Sequence, residues 1–484
     1  MPGAGKTTVT FALHLLAGET DRLLVVAPRN AFMAWEEVID ECLLPSASPS
    51  VRTPFVQLVD GEARILEALK SQPKRLLITY GQLIRVLPIV EELLSRERVH
   101  LVLDEAHRMK AGSATRSGSA LLRIASMPIR RDILTGTPMP QRPADLQSQL
   151  DFLWPGSGLG VRIGNGENPR DVLGRLYVRT TKKELGLGPR ERHPVRVDLT
   201  DAHLAFYGVL SKDVHAQASA LRRGRSAVEL IRARRSVLKL LLAAVNPLLV
   251  AKQFADALVP EQQELLDRVM AEGPSARLRA AADLARALAA QGRKSLLWTN
   301  FRSSLNELKD LLQDLAPAVI DGSTTVGDEE NPDSRQGQIR RFKTDAQCLV
   351  MLANPAAASE GMSLHKVCHD AIYVDRSYNA THYLQSIDRI HRLDMPPNTT
   401  TRVHVLENRL PADVGSIDLS VARRLGEKIR NMEQLLGDPD LHELALDEEA
   451  MGASIEDSID WRDVDDLICE IESPSSSLDE EGLE

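Results

Sequence analysis

Short apolar runs alternate with helical patterns in residues 1–155, and this alternation constrains the fold more than any other feature of the chain. Each run ends at or just before a polar or turn residue, as buried parallel strands do. The runs in this part of the chain are residues 22–28, 75–80, 100–104 and 131–135. The alternation returns after residue 276, with runs at residues 295–299, 348–352 and 370–375. Strands that alternate with helices form parallel sheets with helices on both faces, so the sequence predicts two doubly wound α/β lobes.

The rest of the chain separates or follows these two lobes. A glycine-rich link leads from the first lobe into a long stretch of helical patterns, and the C-terminal end is acidic. We therefore predict a first lobe at residues 1–155, a helical inter-lobe region at 156–275, a second lobe at 276–410, a C-terminal helical brace at 411–437, and an acidic, disordered tail at 438–484.

The acidic residues are concentrated in that tail. The formal net charge of the chain is −9, and residues 451–484 hold 12 acidic side chains with Arg462 as their single basic one. The rest of the chain is therefore close to neutral, and a neutral body can bind nucleic acid through a local basic groove. The tail is either a solubilising segment or a mimic of DNA that inhibits the protein in cis.

Bulk features also bear on the compartment. No apolar run approaches the ~20 residues that cross a bilayer, and no signal peptide opens the sequence. The cysteines contain no CxxC pair, so we expect reduced, buried thiols rather than a zinc ribbon or disulfides. They are Cys42, Cys348, Cys368 and Cys469. These features predict a protein without membrane contact, cytoplasmic in a bacterium or phage host and nuclear in a eukaryote.

The first residues contain a candidate phosphate-binding loop. It consists of Gly3, Ala4, Gly5, Lys6, Thr7 and Thr8. Glycines let backbone N–H groups approach phosphate oxygens closely, a lysine reaches the terminal phosphates, and a threonine hydroxyl binds Mg²⁺. The predicted helix at residues 7–17 follows as this role requires, and the alternative is a glycine-rich arm without a ligand. The loop therefore predicts a site for ATP and Mg²⁺ in which Lys6 contacts phosphate and Thr7 holds the metal.

Two further groups of residues suit the same chemistry. Asp104 and Glu105 end an apolar strand, where Asp104 would hold Mg²⁺ and Glu105 would activate the attacking water. Arg389 and Arg392 lie three apart on a predicted helix, so they share a face and could stabilise the charge that builds on a transferred phosphate. The alternatives are a solvated loop for the acids and a surface basic cluster for the arginines.

These motifs, in this order, resemble those of Swi/Snf-type DNA-dependent ATPases in helicase superfamily 2. The loop at the start resembles motif I, and residues 385–392, which begin with Gln385, resemble motif VI in the form of the fork-remodelling, annealing branch. Further similar segments are residues 25–28 with Trp35 (motif Ia), 78–80 (Ib), 104–110 (II), 134–138 with 145–153 (III), 177–182, 298–301 (IV), 321–324 and 360–364 (V). The resemblance covers about residues 1–435.

The resemblance implies two RecA-like lobes and an ATP hydrolase that moves along double-stranded DNA and remodels proteins bound to it. The implied catalytic residues are Lys6, Asp104, Glu105, Gln385, Arg389 and Arg392, with Gly361 as a further nucleotide contact. The implied residues for DNA binding or coupling are Thr79, Thr135, Thr137, Asp321, Gly322, Ser323 and Ser363. Oligomeric state and biological pathway do not follow from it.

The sequence departs from the family before the phosphate loop. The adenine-reading glutamine motif and the strand that carries the loop would precede Gly3 and are not in the sequence. That strand is central in the family's sheet, so we expect an exposed sheet edge in its place. A misassigned start, a fragment, or a strand from an upstream polypeptide would each explain the difference. After Arg392, the chain also reads Leu-Asp-Met where the family commonly has Gly-Gln soon after the arginine.

Two alternative functions remain open. An RNA helicase of the same superfamily would more often carry Ser-Ala-Thr at the position of the Thr-Gly-Thr-Pro segment 135–138. A DNA-binding remnant without activity is the second alternative, although the residues implied for catalysis are intact. Residues 221–239 carry six arginines and a lysine against Glu229, which predicts either phosphate contacts or a solvated helix face.

Overall fold

The fold is known from a computed structural model, which divides the chain into two compact units with the boundary between Gly186 and Leu187. It describes residues 5–109, 112–135, 146–177, 187–224, 227–325, 331–358, 362–378, 380–392, 395–396, 398–411 and 414–436.

The first unit is a parallel sheet with helices on both faces. Its strands are β1 (Arg22–Val26), β2 (Phe55–Gln57), β3 (Arg75–Ile78), β4 (Val99–Asp104) and β5 (Arg130–Leu134). Its helices are α1 (Lys6–Ala17), α2 (Phe32–Cys42), α3 (Glu62–Lys70), α4 (Tyr80–Arg85), α5 (Leu87–Arg96), α6 (Arg116–Ile124), α7 (Gln147–Leu153), α8 (Leu159–Gly164) and α9 (Pro169–Leu173). Among the described residues, the strand order is β2-β3-β1-β4-β5 and all pairs are parallel.

Alternate residues of the central strand enter two separate hydrophobic cores. Leu24 and Val26 of β1 pack with residues of α3, α4, α5 and α6, whereas Leu23 and Val25 pack with residues of α1 and α2. Successive side chains of a strand point to opposite faces, so this division places helices on both sides of the sheet. The predicted doubly wound lobe is confirmed for this part of the chain.

Strand β5 lies at the edge of this sheet in the described structure. Four of its five residues are partly exposed, whereas every residue of β1, β3 and β4 is buried. Parallel strands are normally covered on both faces, and the outermost strand of a sheet is the one that another strand can extend. The expected exposure of a sheet edge in place of an absent strand stays a prediction.

The second unit contains another parallel sheet. Its strands are β6 (Arg190–Asp198), β7 (Ser295–Trp298), β8 (Ala318–Ile320), β9 (Val350–Ala353), β10 (Asp370–Tyr373) and β11 (Thr401–Arg409), in the order β6-β11-β10-β7-β9-β8. Its helices are α10 (Asp201–Gly224), α11 (Ala227–Val245), α12 (Pro247–Phe254), α13 (Pro260–Ala271), α14 (Ala276–Ala289), α15 (Arg302–Leu311), α16 (Arg335–Thr344), α17 (Pro355–Ala358) and α18 (Ala380–Ile387); α19 (Ile417–Leu436) begins in it. Parallel pairing throughout confirms a second α/β lobe.

The prediction missed β2, β6, β8 and β11. The most consequential omission is β6, because we expected only helices between residues 156 and 275. Strand β6 pairs in register with β11 along nine residues, from Thr401 opposite Arg190 to Arg409 opposite Asp198. Its sequence is rich in arginine and its side chains are mostly part-exposed, so it lacks the apolar run that marks a buried strand. Its pairing depends on a partner about 200 residues away, which a local pattern does not encode.

None of the helices in the described ranges is both long enough and apolar enough to cross a membrane.

Candidate functional site

The paired acids lie at the carboxyl edge of the first sheet. Asp104 is the last residue of β4 and is register partner of Leu134, the last residue of β5. Thr135 directly follows Leu134, so the predicted site residues Asp104 and Thr135 lie at the carboxyl ends of neighbouring strands. Ligands of open α/β sheets bind at this edge. Thr137 lies outside the described residues.

The predicted phosphate loop leads into α1. Gly5 has φ 70° and precedes the helix at a left-handed backbone position, which suits glycine. Lys6 and Thr7 open the helix and are partly exposed, so both remain accessible to a ligand. The Thr8 hydroxyl donates to Glu41 Oε2 at 3.0 Å and so faces α2. Gly3 and Ala4 lie outside the described residues.

Burial and neighbouring charges act together on Asp104. Burial, followed by the charge of Glu105, raises the pKa of its carboxyl to about 6, although a hydrogen bond from Trp35 and the charge of Lys6 oppose the rise. The lysine of the loop and the acid of β4 are thus electrostatically coupled. A carboxylate that is desolvated beside a second acid is stabilised by a nearby cation. With the Thr7 hydroxyl, the oxygen donors fit Mg²⁺.

Three hydrogen bonds fix Asp104. Trp35 Nε1 donates to its Oδ2 at 3.0 Å, and the backbone N–H of Glu105 donates to its Oδ1 at 3.0 Å. The Tyr80 hydroxyl donates to its backbone carbonyl at 2.7 Å. Glu105 itself has φ 53°, a left-handed conformation that is strained for a glutamate. Trp35 and Tyr80 lie within segments that resemble motifs Ia and Ib, but no sequence pattern connects either residue to the acid pair.

Thr79 connects β3 to α4. Its side-chain oxygen accepts a hydrogen bond from the backbone N–H of Gln82 at 3.1 Å and so caps the helix. Thr79 is partly exposed, so its predicted contact with DNA stays a prediction alongside this structural role.

In the second unit, the predicted helix that carries both arginines is wrong. Helix α18 ends at Ile387, and turns with hydrogen bonds such as Arg389 N to Ser386 O follow it. Arg389 is 8% exposed, and its guanidinium donates to the carbonyls of Gln385 and Met362 at 2.9 and 3.1 Å. Arg392 is partly exposed. Their spacing does not define a common helix face because the helix stops before both, and burial of Arg389 directs its side chain inward.

The remaining predicted residues of this unit lie in helix α18 and in loops. Gln385 is buried in α18 at 4% exposure, and the Ser363 hydroxyl lies 2.9 Å from His365 Nδ1. Gly361 lies outside the described residues.

Asp321 organises the turn that follows β8. Its Oδ1 accepts hydrogen bonds from the backbone N–H and the hydroxyl of Ser323 at 2.9 and 2.7 Å, and Gly322 lies between the two residues. Burial would raise the pKa of Asp321, but these hydrogen bonds and the charge of Arg302 outweigh it and lower that pKa. Arg302 Nε lies 2.9 Å from Asp321 Oδ2, and its side chain is 67% exposed. Arg302 is thus a solvent-facing cation anchored at this turn, and no sequence pattern singled it out.

The described residues of the basic segment 221–239 belong to α10 and α11, and Arg225 lies outside the described residues. Among the side chains that the structure describes there, Arg232 and Arg235 are exposed. Arg235 and Lys239 lie 6.0 and 5.7 Å from the centre of the Phe254 ring. The two outward arginines are spaced three apart on α11, so this helix presents positive charge to solvent.

Two parts of the chain match models of known protein families. Residues 2–158 match the SNF2-related domain, and residues 277–394 match the helicase conserved C-terminal domain. The DNA annealing helicase and endonuclease ZRANB3 of Bos taurus is 32% identical over 154 residues, which are 32% of this chain and 14% of that protein. An uncharacterized ATP-dependent helicase of Mycoplasma pneumoniae is 22% identical over 90% of this chain and 40% of its own length.

Among solved structures, the Sulfolobus solfataricus SWI2/SNF2 ATPase core in complex with dsDNA is 19% identical, with coverage of 92% of each chain and a TM-score of 0.35. The chain thus spans less than half the length of both curated relatives.

Proposed function

We propose that this chain, which belongs to the Swi/Snf-type ATPases of helicase superfamily 2, uses ATP hydrolysis to move along double-stranded DNA. Family membership confirms the predicted class, a helicase-like ATP hydrolase that binds nucleotide. The observation that carries the proposal for this chain is the position of the acid pair at the carboxyl edge of the first sheet, where Asp104 ends β4, is 8% exposed and accepts hydrogen bonds from Trp35 and from the backbone N–H of Glu105.

The residues of the first unit take separate roles in this proposal. Gly5 and Lys6 hold the phosphates of ATP, and Thr7 and Asp104 hold Mg²⁺, which supplies positive charge that offsets the charge on the phosphates. Glu105 orients the attacking water and accepts its proton. The positive φ of Glu105 turns its backbone away from the strand direction directly after Asp104.

The second unit contributes Arg389, Arg392, Gln385 and Gly361 to hydrolysis in this proposal. Since Arg389 is bound to carbonyls of its own unit, it would have to exchange these hydrogen bonds to reach a phosphate. Such a conformational step is a common way to couple hydrolysis to movement.

DNA is the proposed track. The proposed contacts and coupling residues are Thr79, Thr135, Thr137, Asp321, Gly322, Ser323 and Ser363, to which we add the exposed Arg302. Support comes from the SNF2-related domain match and from the name of ZRANB3, a DNA annealing helicase. We also propose proteins bound to DNA as partners. Because duplex DNA is the proposed track, we propose that the protein acts in the cytoplasm of a bacterium or in a nucleus.

The test is steady-state ATP hydrolysis with no nucleic acid, with duplex DNA, and with duplex RNA. We expect duplex DNA to raise the rate and Lys6→Ala to abolish it. Lys70→Ala is the matched control, because Lys70 is exposed on α3 and pairs only with its helix neighbour Glu67 among the contacts that the structure describes.

Each alternative gives a different result. Stimulation by RNA rather than DNA supports the RNA helicase. DNA binding without hydrolysis supports the inactive remnant, and a Lys6→Ala variant as active as the parent protein contradicts the proposed role of the loop.

A further inference from the structure

Asp104, the proposed metal ligand, accepts hydrogen bonds from residues of two helices, α2 and α4, that carry no predicted catalytic residue. Trp35 lies in the middle of α2 and Tyr80 begins α4, and both are far in sequence from Asp104. Trp35 is fully buried, and Asp104 is 8% exposed. These distant residues contact one acid, Trp35 at its carboxylate and Tyr80 at its backbone carbonyl, because the sheet brings them together.

The two hydrogen bonds restrain different parts of Asp104. The indole N–H of Trp35 binds the carboxylate, at Oδ2, and so fixes the rotation of the side chain. The Tyr80 hydroxyl binds the backbone carbonyl and so fixes the peptide that leads into the left-handed Glu105. The third donor, the N–H of Glu105, belongs to the same turn and cannot by itself anchor it to the rest of the fold.

The indole is itself held in place. The ring of Trp35 packs edge-on against Phe55 with centroids 6.0 Å apart, and Phe55 in turn lies 6.1 Å from Phe11. These rings belong to the core cluster between the sheet and the helices α1 and α2. A donor fixed by packing loses little entropy when it orients an acceptor, which is how residues behind a metal ligand set its direction.

We propose that Trp35 is a positioning residue that aims the Asp104 carboxylate at the metal–nucleotide complex, with Tyr80 as its counterpart on the backbone of the same turn. This inference rests on the proposed function of Asp104. It predicts that loss of one N–H group, with the ring retained, weakens metal binding without unfolding the protein.

The contact itself can be observed without any activity. In the full chain with ¹⁵N-labelled tryptophan, the indole N–H resonance that is missing from Trp35→Phe identifies Trp35. Asp104→Asn replaces the charged acceptor, and we expect this resonance to shift markedly. An unshifted resonance would overturn the inference.

Metal binding tests its consequence. Mn²⁺ in the presence of a non-hydrolysable ATP analogue can be titrated by electron paramagnetic resonance. We expect the half-saturating Mn²⁺ concentration of Trp35→Phe to rise about tenfold, as is typical when a residue behind a metal ligand is changed. The Mg²⁺ concentration needed for half-maximal hydrolysis should rise in parallel, and excess Mg²⁺ should restore most of the rate.

Phe55→Leu is the matched control. It removes the ring that packs on Trp35 and lowers stability, but it leaves the indole donor in place. If both variants change the Mn²⁺ and Mg²⁺ requirements equally, the role of Trp35 is only structural. If the parent protein binds Mn²⁺ and nucleotide and Trp35→Phe binds them equally well, the inference fails while the proposed function stands. A parent protein that binds neither contradicts the proposed function instead.

Discussion

Arg277 and Asp418 form an ion pair inside the second unit, between α14 and the start of α19. The side chain of Arg277 is fully buried and that of Asp418 is 10% exposed. Both are also bound to Asn408. Arg277 Nε donates to the side-chain oxygen of Asn408, and the backbone N–H of Asn408 donates to Asp418 Oδ2, each at 3.0 Å. The pair therefore connects two helices to the end of β11.

Loss of one partner should strongly destabilise this unit. We expect Asp418→Ala to lower the free energy of unfolding by about 3–5 kcal/mol, because it leaves a buried guanidinium without its counter-charge. Differential scanning calorimetry of the full chain measures this as an earlier transition. Asp198→Ala removes the exposed pair with Arg409, whose side chains are 71% and 59% exposed, and should cost less than about 1 kcal/mol. Equal effects of the two variants would contradict the prediction.

The strained backbone at Glu105 predicts a trade between stability and activity. Glu105→Gly and Glu105→Gln both remove the proposed base, and hydrolysis should fall about a hundredfold or more in each. Glu105→Gly should be more stable than Glu105→Gln by about 1 kcal/mol, because glycine adopts φ 53° without strain. Thermal unfolding should therefore occur at a higher temperature for Glu105→Gly.

Gln72→Gly is the matched control for backbone strain. Gln72 has φ 49° and lies outside the candidate site. It should gain similar stability and keep full activity. A Glu105→Gly variant less stable than Glu105→Gln would show that the turn is not strained.

Two facing histidines predict a pH dependence of stability. His14 Nδ1 lies 3.3 Å from His100 Nδ1, and burial, followed by the charge of His100, lowers the pKa of His14 from 6.5 to about 4. In the unfolded chain His14 is protonated below about pH 6.5, whereas in the folded chain it is protonated only below about pH 4. The stability of the fold therefore falls as the pH falls through this window.

The test is urea unfolding at pH values across that window. Between the two ends of that pH window, the free energy of unfolding of the wild-type protein should fall by about 2 kcal/mol more than that of His14→Gln. This figure allows for the partial exposure of His14. Leu13→Gln places the same side chain at the neighbouring exposed position and should keep the wild-type slope. Parallel slopes for all three proteins would refute the assignment to His14.

The exposed arginines of α11 test the two interpretations of the basic segment. If Arg232 and Arg235 each contact a phosphate, changing both to alanine should reduce the slope of log affinity against log salt by about 1.8 for duplex DNA. The matched control is Arg64→Ala together with Arg96→Ala, since both side chains are exposed in the first unit. An unchanged slope would support a solvated helix face.

The acidic tail also has two interpretations. Deletion of residues 451–484, which carry 12 acidic side chains, should leave the rate of ATP hydrolysis without DNA unchanged if the tail only solubilises the protein. A marked rise would support inhibition in cis. The measurement compares full-length and shortened proteins at low salt, where screening is weakest.

Local patterns in the sequence were sufficient for the seven strands that are short apolar runs and for the two parallel lobes. Six of these seven strands are buried at every residue, and a strand buried on both faces must be apolar along its own sequence. The exception is β5, which lies at the edge of its sheet in the described structure. The same patterns placed Asp104 and Thr135 at strand ends, because parallel strands bring their carboxyl ends to one edge.

Tertiary structure decided the rest. Strand β6 is paired only by a distant partner, Arg389 is turned inward by burial after α18 has ended, and Trp35 reaches Asp104 across 69 positions of sequence. The sequence by itself determined which residue types are available for phosphate and metal chemistry and the order in which they occur. The packing of the sheet decided which residues contact and orient these phosphate- and metal-binding residues. Hydrogen bonds and burial depend on distances in space, which the spacing of residues along the chain does not specify.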